Sequence, residues 1–146
     1  MKATRAAVAA PPELDGAARQ ALIAAARVAR RHAHAPYSRF RVGAAVLDDR
    51  GRVHVGCNVE NASYGLTVCA ERNAIAAAVV GGAMRIQAIA VVTPTRPPAP
   101  PCGGCRQVLA EFGDEQMLVV LAPPAGTATD RRLGALLPES FELRRT

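Results

Sequence analysis

Two short apolar runs set the first limit on what this chain can fold into. "IQAIAVVT" (86–93) and "MLVVLA" (117–122) carry no charge and little polarity. They read as buried strands, and near-continuous apolar strands belong in a sheet covered on both faces. Between them stands "PTRPPAPP" (94–101), a stiff loop that can be neither helix nor central strand. "CGGCRQVLAEF" (102–112) follows as a short helix, closed by Gly113.

The rest of the chain supplies the cover. Residues 12–35 keep a helical apolar period through Leu14, Ala18, Leu22, Ala25 and Val28, and Pro36 stops the helix. "YSRFRVGAAVLDDRGRVHVGCNVEN" (37–61) reads as a hairpin turning at "DDRG". "TVCAERNAIAAAVV" (67–80) is a helix whose apolar part is expected to be its buried anchor, with "GGA" as its stop. The tail from Arg131 predicts a short strand or turn, then one helical turn broken at Pro138. The expectation is an α/β fold: a three-layer α/β/α sandwich on a mixed, roughly five-stranded sheet. Residues 1–11 are expected to be a loose tail and 12–146 a single domain.

Charge narrows the function classes. The net charge is +6, and Lys2 is the only lysine among the cations. A basic chain raises the question of a nucleic-acid partner. The arginines are scattered, however, and with no Trp there is little for single strands to stack on. No segment approaches the apolar length that spans a bilayer, and the first residues lack a separate apolar signal region. The cytoplasm is the expected compartment. His32 and His34, ahead of Pro36, are expected to be solvated and to cap the helix end.

The chemistry gathers at two helix starts. Cys102 and Cys105 form a Cys-x-x-Cys pair opening one helix, so both sulfurs can reach one ion, and Gly103 and Gly104 remove steric objections to a close approach. Cys69 opens the other helix. Helix N-termini favour the thiolate, the form that binds zinc. A redox pair is the competing reading of Cys102 and Cys105, but the thioredoxin-like flanks are missing. A closed four-cysteine zinc site would need Cys57. Strand parity puts Cys57 on one face with Val53, Val55 and Val59, where a small buried hydrophobe is the better reading. Three ligands leave a fourth position open, as in catalytic zinc sites. Glu71, two residues from Cys69, can stand over that position and carry a proton. Three thiolates overcompensate the zinc charge. Arg72 offsets this if it donates to the sulfurs; otherwise it is a surface helix arginine.

Cys-x-Glu on one helix and Pro-Cys-x-x-Cys on a later one form the signature of the zinc deaminases. Together with "APYSRFRVGAA", "GCNVENASYG", "CAERNA", "PCGGCRQVL" and "LLPESF", it resembles the small, tetrameric cytidine deaminases from about residue 35 to 141. The resemblance implies one Zn2+ per subunit on Cys69, Cys102 and Cys105, with Glu71 as proton shuttle and Arg72 balancing charge. It implies that the Ala70 N–H holds the pyrimidine O2, that Asn58 and Glu60 bind the ribose hydroxyls, and that Phe40 packs on the base. Phe141 would close the site of a neighbouring subunit, giving a homotetramer with shared active sites. The implied reaction is hydrolytic deamination of cytidine and 2′-deoxycytidine to uridine and 2′-deoxyuridine plus ammonia, in pyrimidine salvage. The partner is then a nucleoside, with neither nucleic acid nor membrane. Asn58 and Glu60 stand two apart on a strand and so point the same way, an amide and a carboxylate suited to a diol. Three readings stay open beside this one: a deaminase of a related nucleoside or nucleoside antibiotic, a structural zinc-binding module in which Cys57 is the fourth ligand, and a zinc protein whose catalysis has been lost, against which the intact Glu71 speaks.

Overall fold

The structure is a computed structural model that describes residues 14–143. The expected tail 1–11, the first two residues of the expected first helix and residues 144–146 lie outside the described residues. Helix α1 runs Gly16–Arg30. Asp15 caps it, accepting the Ala18 N–H at 2.7 Å. Its inward stripe is Leu22, Ile23, Ala26 and Ala29.

α1 ends five residues before the expected boundary because tertiary pairing captures the chain. The His34 N–H donates to the Asn58 carbonyl at 3.0 Å, and the Glu60 N–H donates to the His34 carbonyl at 2.8 Å. His34, expected to cap the helix end, is therefore a strand-like pairing residue instead.

Strands β1 (Gly43–Asp48) and β2 (Val53–Cys57) make the expected hairpin, and Gly51 takes the left-handed turn conformation at φ 77°. Helix α2 (Ala70–Val80) follows, then β3 (Ile86–Val92), α3 (Gly103–Phe112), β4 (Leu118–Ala122), β5 (Thr129–Arg132) and the single turn α4 (Leu133–Leu136). The sheet order is β2-β1-β3-β4-β5. Only β3 and β4 pair parallel; β1 pairs antiparallel with both β2 and β3, and β4 with β5. The βαβ crossover through α3 gives that parallel pair.

Alternation along the central strands divides the core. Ala45, Ala88, Ala90, Val92, Val120 and Ala122 face α1. Ala44, Val46, Ile89, Val91, Val119 and Leu121 face the other side, where α2 and α3 supply Ala70, Ala74, Ile75, Ala78 and Leu109. The α/β/α sandwich on a five-stranded mixed sheet is as expected. Among the described residues no helix is long and apolar enough to cross a membrane.

Two expectations about burial need correction. In α2 only one face is buried, at Ala74, Ile75 and Ala78; Ala76, Ala77, Val79 and Val80 are exposed, Val80 at 90%. The apolar part of the helix is thus half anchor and half outer surface. Likewise, Val53, Val55 and Val59 are 44%, 47% and 44% exposed, and Cys57 is half-buried. Parity put them together correctly, but β2 is a sheet edge and its better-covered face is the opposite one, under α2. There Gly56 lies so close that an added Cβ would collide with the Ala74 nitrogen and stand 2.6 Å from the Ala70 carbonyl. The other edge, β5, has all four residues exposed and carries Asp130, Arg131 and Arg132.

Gly56→Ala is expected to destabilise the protein by about 1–3 kcal/mol, the usual cost of overpacking a close contact. A urea titration checks this: an unchanged midpoint would mean that β2 and α2 can part freely.

α2 stops as "GGA" predicts. The Gly82 N–H donates to Val79 and the Ala83 N–H to Ala78, at 3.0 and 2.9 Å, with Gly82 at φ 88°, a Schellman closure. Beside that end lies a polar cluster. Asp48 is fully buried at the end of β1. Its Oδ1 accepts the Arg50 and Arg52 N–H groups, each at 2.9 Å, and its Oδ2 meets Arg52 Nε at 2.8 Å and His54 Nε2 at 2.9 Å. Arg52 also donates to the Gly81 carbonyl at 2.7 Å, tying the hairpin to the end of α2.

Candidate active site

Cys69 and Cys102 occupy the N-cap positions of α2 and α3, and neither side chain makes the capping bond usual there. Their sulfurs are left for another partner. Cys105 lies one turn into α3 and is buried. Because both helices pack on the same face of the sheet, the three Sγ atoms fall within 4.8 Å of one another. Cys57 is not in that cluster.

The Cys105 thiol, hydrogen-bonded to Cys69, is the largest influence drawing Cys69 down to about 5. Burial opposes it and the Arg72 guanidinium assists. Cys105, which keeps the shared proton, is pushed up. Arg72 is no solvated surface arginine: it donates to Cys69 Sγ at 3.5 Å and to the Thr67 carbonyl at 3.4 Å, and its Nε is buried with no partner. This donor set fits zinc. Three convergent thiols, one of them beside the Arg72 guanidinium, are the donors a zinc ion takes, and three protein ligands leave one position free.

A Cβ at Gly103 or Gly104 would meet no protein atom of another segment within 4 Å, so packing against the rest of the described chain does not require glycine there. The convergence comes from helix placement.

Glu71, on the first turn of α2, is only 5% exposed. Burial, with the Cys69 charge as a further cause, pushes its carboxyl above the ordinary range. It opens on a cavity of about 200 Å3 whose walls also include Cys69, Cys102, Ala70, Asn58 and Phe40. Ala70 is the first residue of α2, so its N–H is one of the donors a helix start leaves unpaired.

Asn58 and Glu60 both turn toward the segment 37–42. Asn58 Nδ2 donates to the Phe40 carbonyl at 2.7 Å, and its Oδ1 accepts the Val42 N–H at 2.8 Å. One amide hydrogen and one lone pair remain for a ligand. Glu60 Oε1 accepts the Tyr37 and Ser38 N–H groups at 2.9 and 3.1 Å. The Ser38 hydroxyl is the largest influence holding this carboxyl low, so it stays ionised. Glu60 lines a second cavity, which meets the first at Thr67.

Of the expected site residues, Phe40, Asn58, Cys69, Ala70, Glu71 and Cys102 line this cavity, Cys105 joins them through the thiol cluster, Arg72 donates to Cys69, and Glu60 lines the second cavity. Phe141 is 73% exposed and is not part of the cavity wall; Gln107 holds its carbonyl at 3.0 Å. Sequence reasoning missed Val42, Thr67, Thr93, Ala99 and Pro100 in the wall. No periodicity or motif in the sequence marks them as cavity wall; Thr93 stands just past the end of β3.

Residues 17–121 match the family model for the "Cytidine and deoxycytidylate deaminase zinc-binding region". A cytidine deaminase of Halalkalibacterium halodurans is 50% identical over 84% of this chain and 93% of its own length. One of Sporosarcina psychrophila is 46% identical over 82% and 88%. The crystal structure of cytidine deaminase from Burkholderia pseudomallei superposes with a TM-score of 0.80 at 50% identity, covering 84% of this chain and 98% of that one. Fold, thiol cluster and sequence agree, and the chain belongs to the cytidine and deoxycytidylate deaminase family, with its zinc-binding region.

Proposed function

We propose that this protein hydrolytically deaminates cytidine and 2′-deoxycytidine, releasing ammonia. The observation that carries the reading is a buried carboxyl, Glu71, lining one small cavity with Cys69 and Cys102, two of three thiols that converge within 4.8 Å. Cys69, Cys102 and Cys105 would hold the zinc, which when bound would supply a Lewis acid able to make water a nucleophile at neutral pH. Glu71 takes the proton of the attacking water and gives it to N3 as the bond to C4 forms, then takes the proton of the new C4 hydroxyl and delivers it to the 4-amino group, which departs as ammonia as the C4 carbonyl forms. Its raised proton affinity suits both halves of that task. The Ala70 N–H holds the pyrimidine O2, Phe40 packs on the ring, and Arg72 offsets thiolate charge.

Asn58 and Glu60 receive the ribose hydroxyls. Glu60→Gln is expected to raise KM for cytidine by about 10–100-fold, the scale of one hydrogen bond to a charged group. Steady-state kinetics showing an unchanged KM would remove Glu60 from the ribose site.

The working form is a homotetramer in which Phe141 closes a neighbour's site. Support comes from the apolar surface left open on one chain: Val80 on α2, Leu66 at 66% exposure and Phe141 itself. Light scattering that returns a monomer mass would overturn this part. A role in pyrimidine salvage in the cytoplasm accords with the substrate class. The reaction is tested by the loss of cytidine ultraviolet absorbance, with and without a zinc chelator. Conversion that the chelator abolishes is expected. No conversion of either nucleoside by metal-loaded protein would overturn the assignment in favour of a related nucleoside.

A further inference from the structure

Residues 97–101 read Pro-Pro-Ala-Pro-Pro. Proline has no N–H, so Ala99 alone in this stretch can donate a backbone hydrogen bond. That bond goes to one side chain: the Ala99 N–H meets Thr93 Oγ1 at 2.9 Å. Thr93 is the first residue after β3 and is 3% exposed. Its own N–H donates to the Ala122 carbonyl at 3.2 Å, which fixes its backbone to β4. Its hydroxyl lies 3.2 Å from Thr95 Oγ1. Thr93, Ala99 and Pro100 together line one wall of the cavity that contains Glu71.

A chain without donors cannot be held by a ladder. It can be held at its carbonyls or at the single N–H that remains. At the far end Arg106 Nε donates to the Pro101 carbonyl at 2.7 Å, which anchors the entry to α3. The middle of the loop is anchored through Thr93. Because proline-rich backbone is stiff over several residues, a peg at Ala99 sets the position of the whole wall.

We propose that Thr93 is a positioning residue for the deaminase site: its hydroxyl pins the proline-rich loop at Ala99 and so fixes one wall of the pyrimidine cavity. This rests on the deaminase reading above. Glu71 stands on α2 and Cys105 on α3, and Cys69 and Cys102 cap those helices, so each is placed by the helix it belongs to. Releasing the wall therefore weakens the hold on substrate and transition state alike, which raises KM and leaves kcat nearly unchanged.

The test uses the full, zinc-loaded chain. Thr93→Val keeps the shape and removes the acceptor. KM for cytidine is expected to rise about tenfold with kcat within about threefold and zinc content unchanged, and Thr93→Ser is expected to restore KM. An unchanged KM in Thr93→Val, a fall confined to kcat, or a Ser variant as impaired as Val would each overturn the proposal. Amide exchange of Ala99 in the wild-type protein decides it even if the valine variant does not fold. Protection is expected, and exchange at the rate of an open loop would overturn the pin. Wild-type protein inactive on both nucleosides would instead defeat the deaminase reading, with the Ala99 exchange still deciding the pin.

Discussion

Glu71→Gln is expected to cut cytidine turnover by about 10³–10⁴-fold, the upper range for loss of a positioned acid–base group, while zinc content stays that of the wild type. Glutamine has nearly the volume of glutamate, so the 5% exposed pocket stays filled and the cavity keeps its shape. It also removes a strain on stability. A carboxyl whose proton affinity is raised by folding costs stability once pH exceeds its ordinary range, since the fold must then hold the charge in a dry place or keep it protonated. The variant is therefore expected to melt, metal-free at neutral pH, no lower than the wild type. Loss of activity with retained stability and retained zinc is the pattern of a proton carrier. Activity within tenfold of wild type would remove Glu71 from that role.

The second large effect lies away from the cavity. Asp48→Asn is expected to destabilise the protein by about 3–5 kcal/mol, the scale for breaking a buried charge pair, which is much of what a domain of this size has to lose. The carboxylate is fully buried and its two oxygens take four hydrogen bonds. Asparagine can satisfy the Arg50 and Arg52 N–H groups with its oxygen, but its NH2 then faces the Arg52 guanidinium and His54. Arg52 is 40% exposed, so solvent recovers part of its share; Asp48 has no such relief. Burial by itself would raise the Asp48 carboxyl. The bonds from His54, Arg52 and Arg50 outweigh it and hold the carboxyl well below the usual range. A group lowered by folding stabilises fully above its unfolded value, 3.8, and loses that contribution as pH falls below it. Urea titrations at neutral pH and near pH 3 check both statements: wild type should weaken on acidification more than Asp48→Asn does. A loss under about 1 kcal/mol at neutral pH would show the cluster to be dispensable.

What could be read from the sequence was what depends on spacing. Cys102 and Cys105 are one helical turn apart, and a cysteine at a helix start has its place fixed by the helix behind it. Three of the site's groups were therefore legible before any tertiary structure. β3 and β4 were legible because an uninterrupted apolar run has few other uses. The end of α1 was not, because the bonds that stop it come from Asn58 and Glu60, distant in the chain. Cys57 was misplaced for a related reason: alternation tells which residues share a face, but only the sheet order tells which face is covered. Thr93 and Thr67 belong to loops without periodicity, and nothing local announces that they line the cavity. Phe141 could not be placed by spacing at all, and it stays 73% exposed among the described residues.

The two edges of the sheet have opposite chemistry, and this bears on aggregation. A fibre built by strand addition needs β2 of one copy to zip onto β5 of the next, over and over. The β5 edge presents Asp130, Arg131 and Arg132, charges that native sheets use to refuse such pairing. The β2 edge, with Val53 and Val55 half-exposed, resists less, but β2 meeting β2 is a two-fold contact that consumes itself. Whatever sticks to that edge closes a pair and stops, so the chain can keep an apolar border without the hazard of open-ended growth.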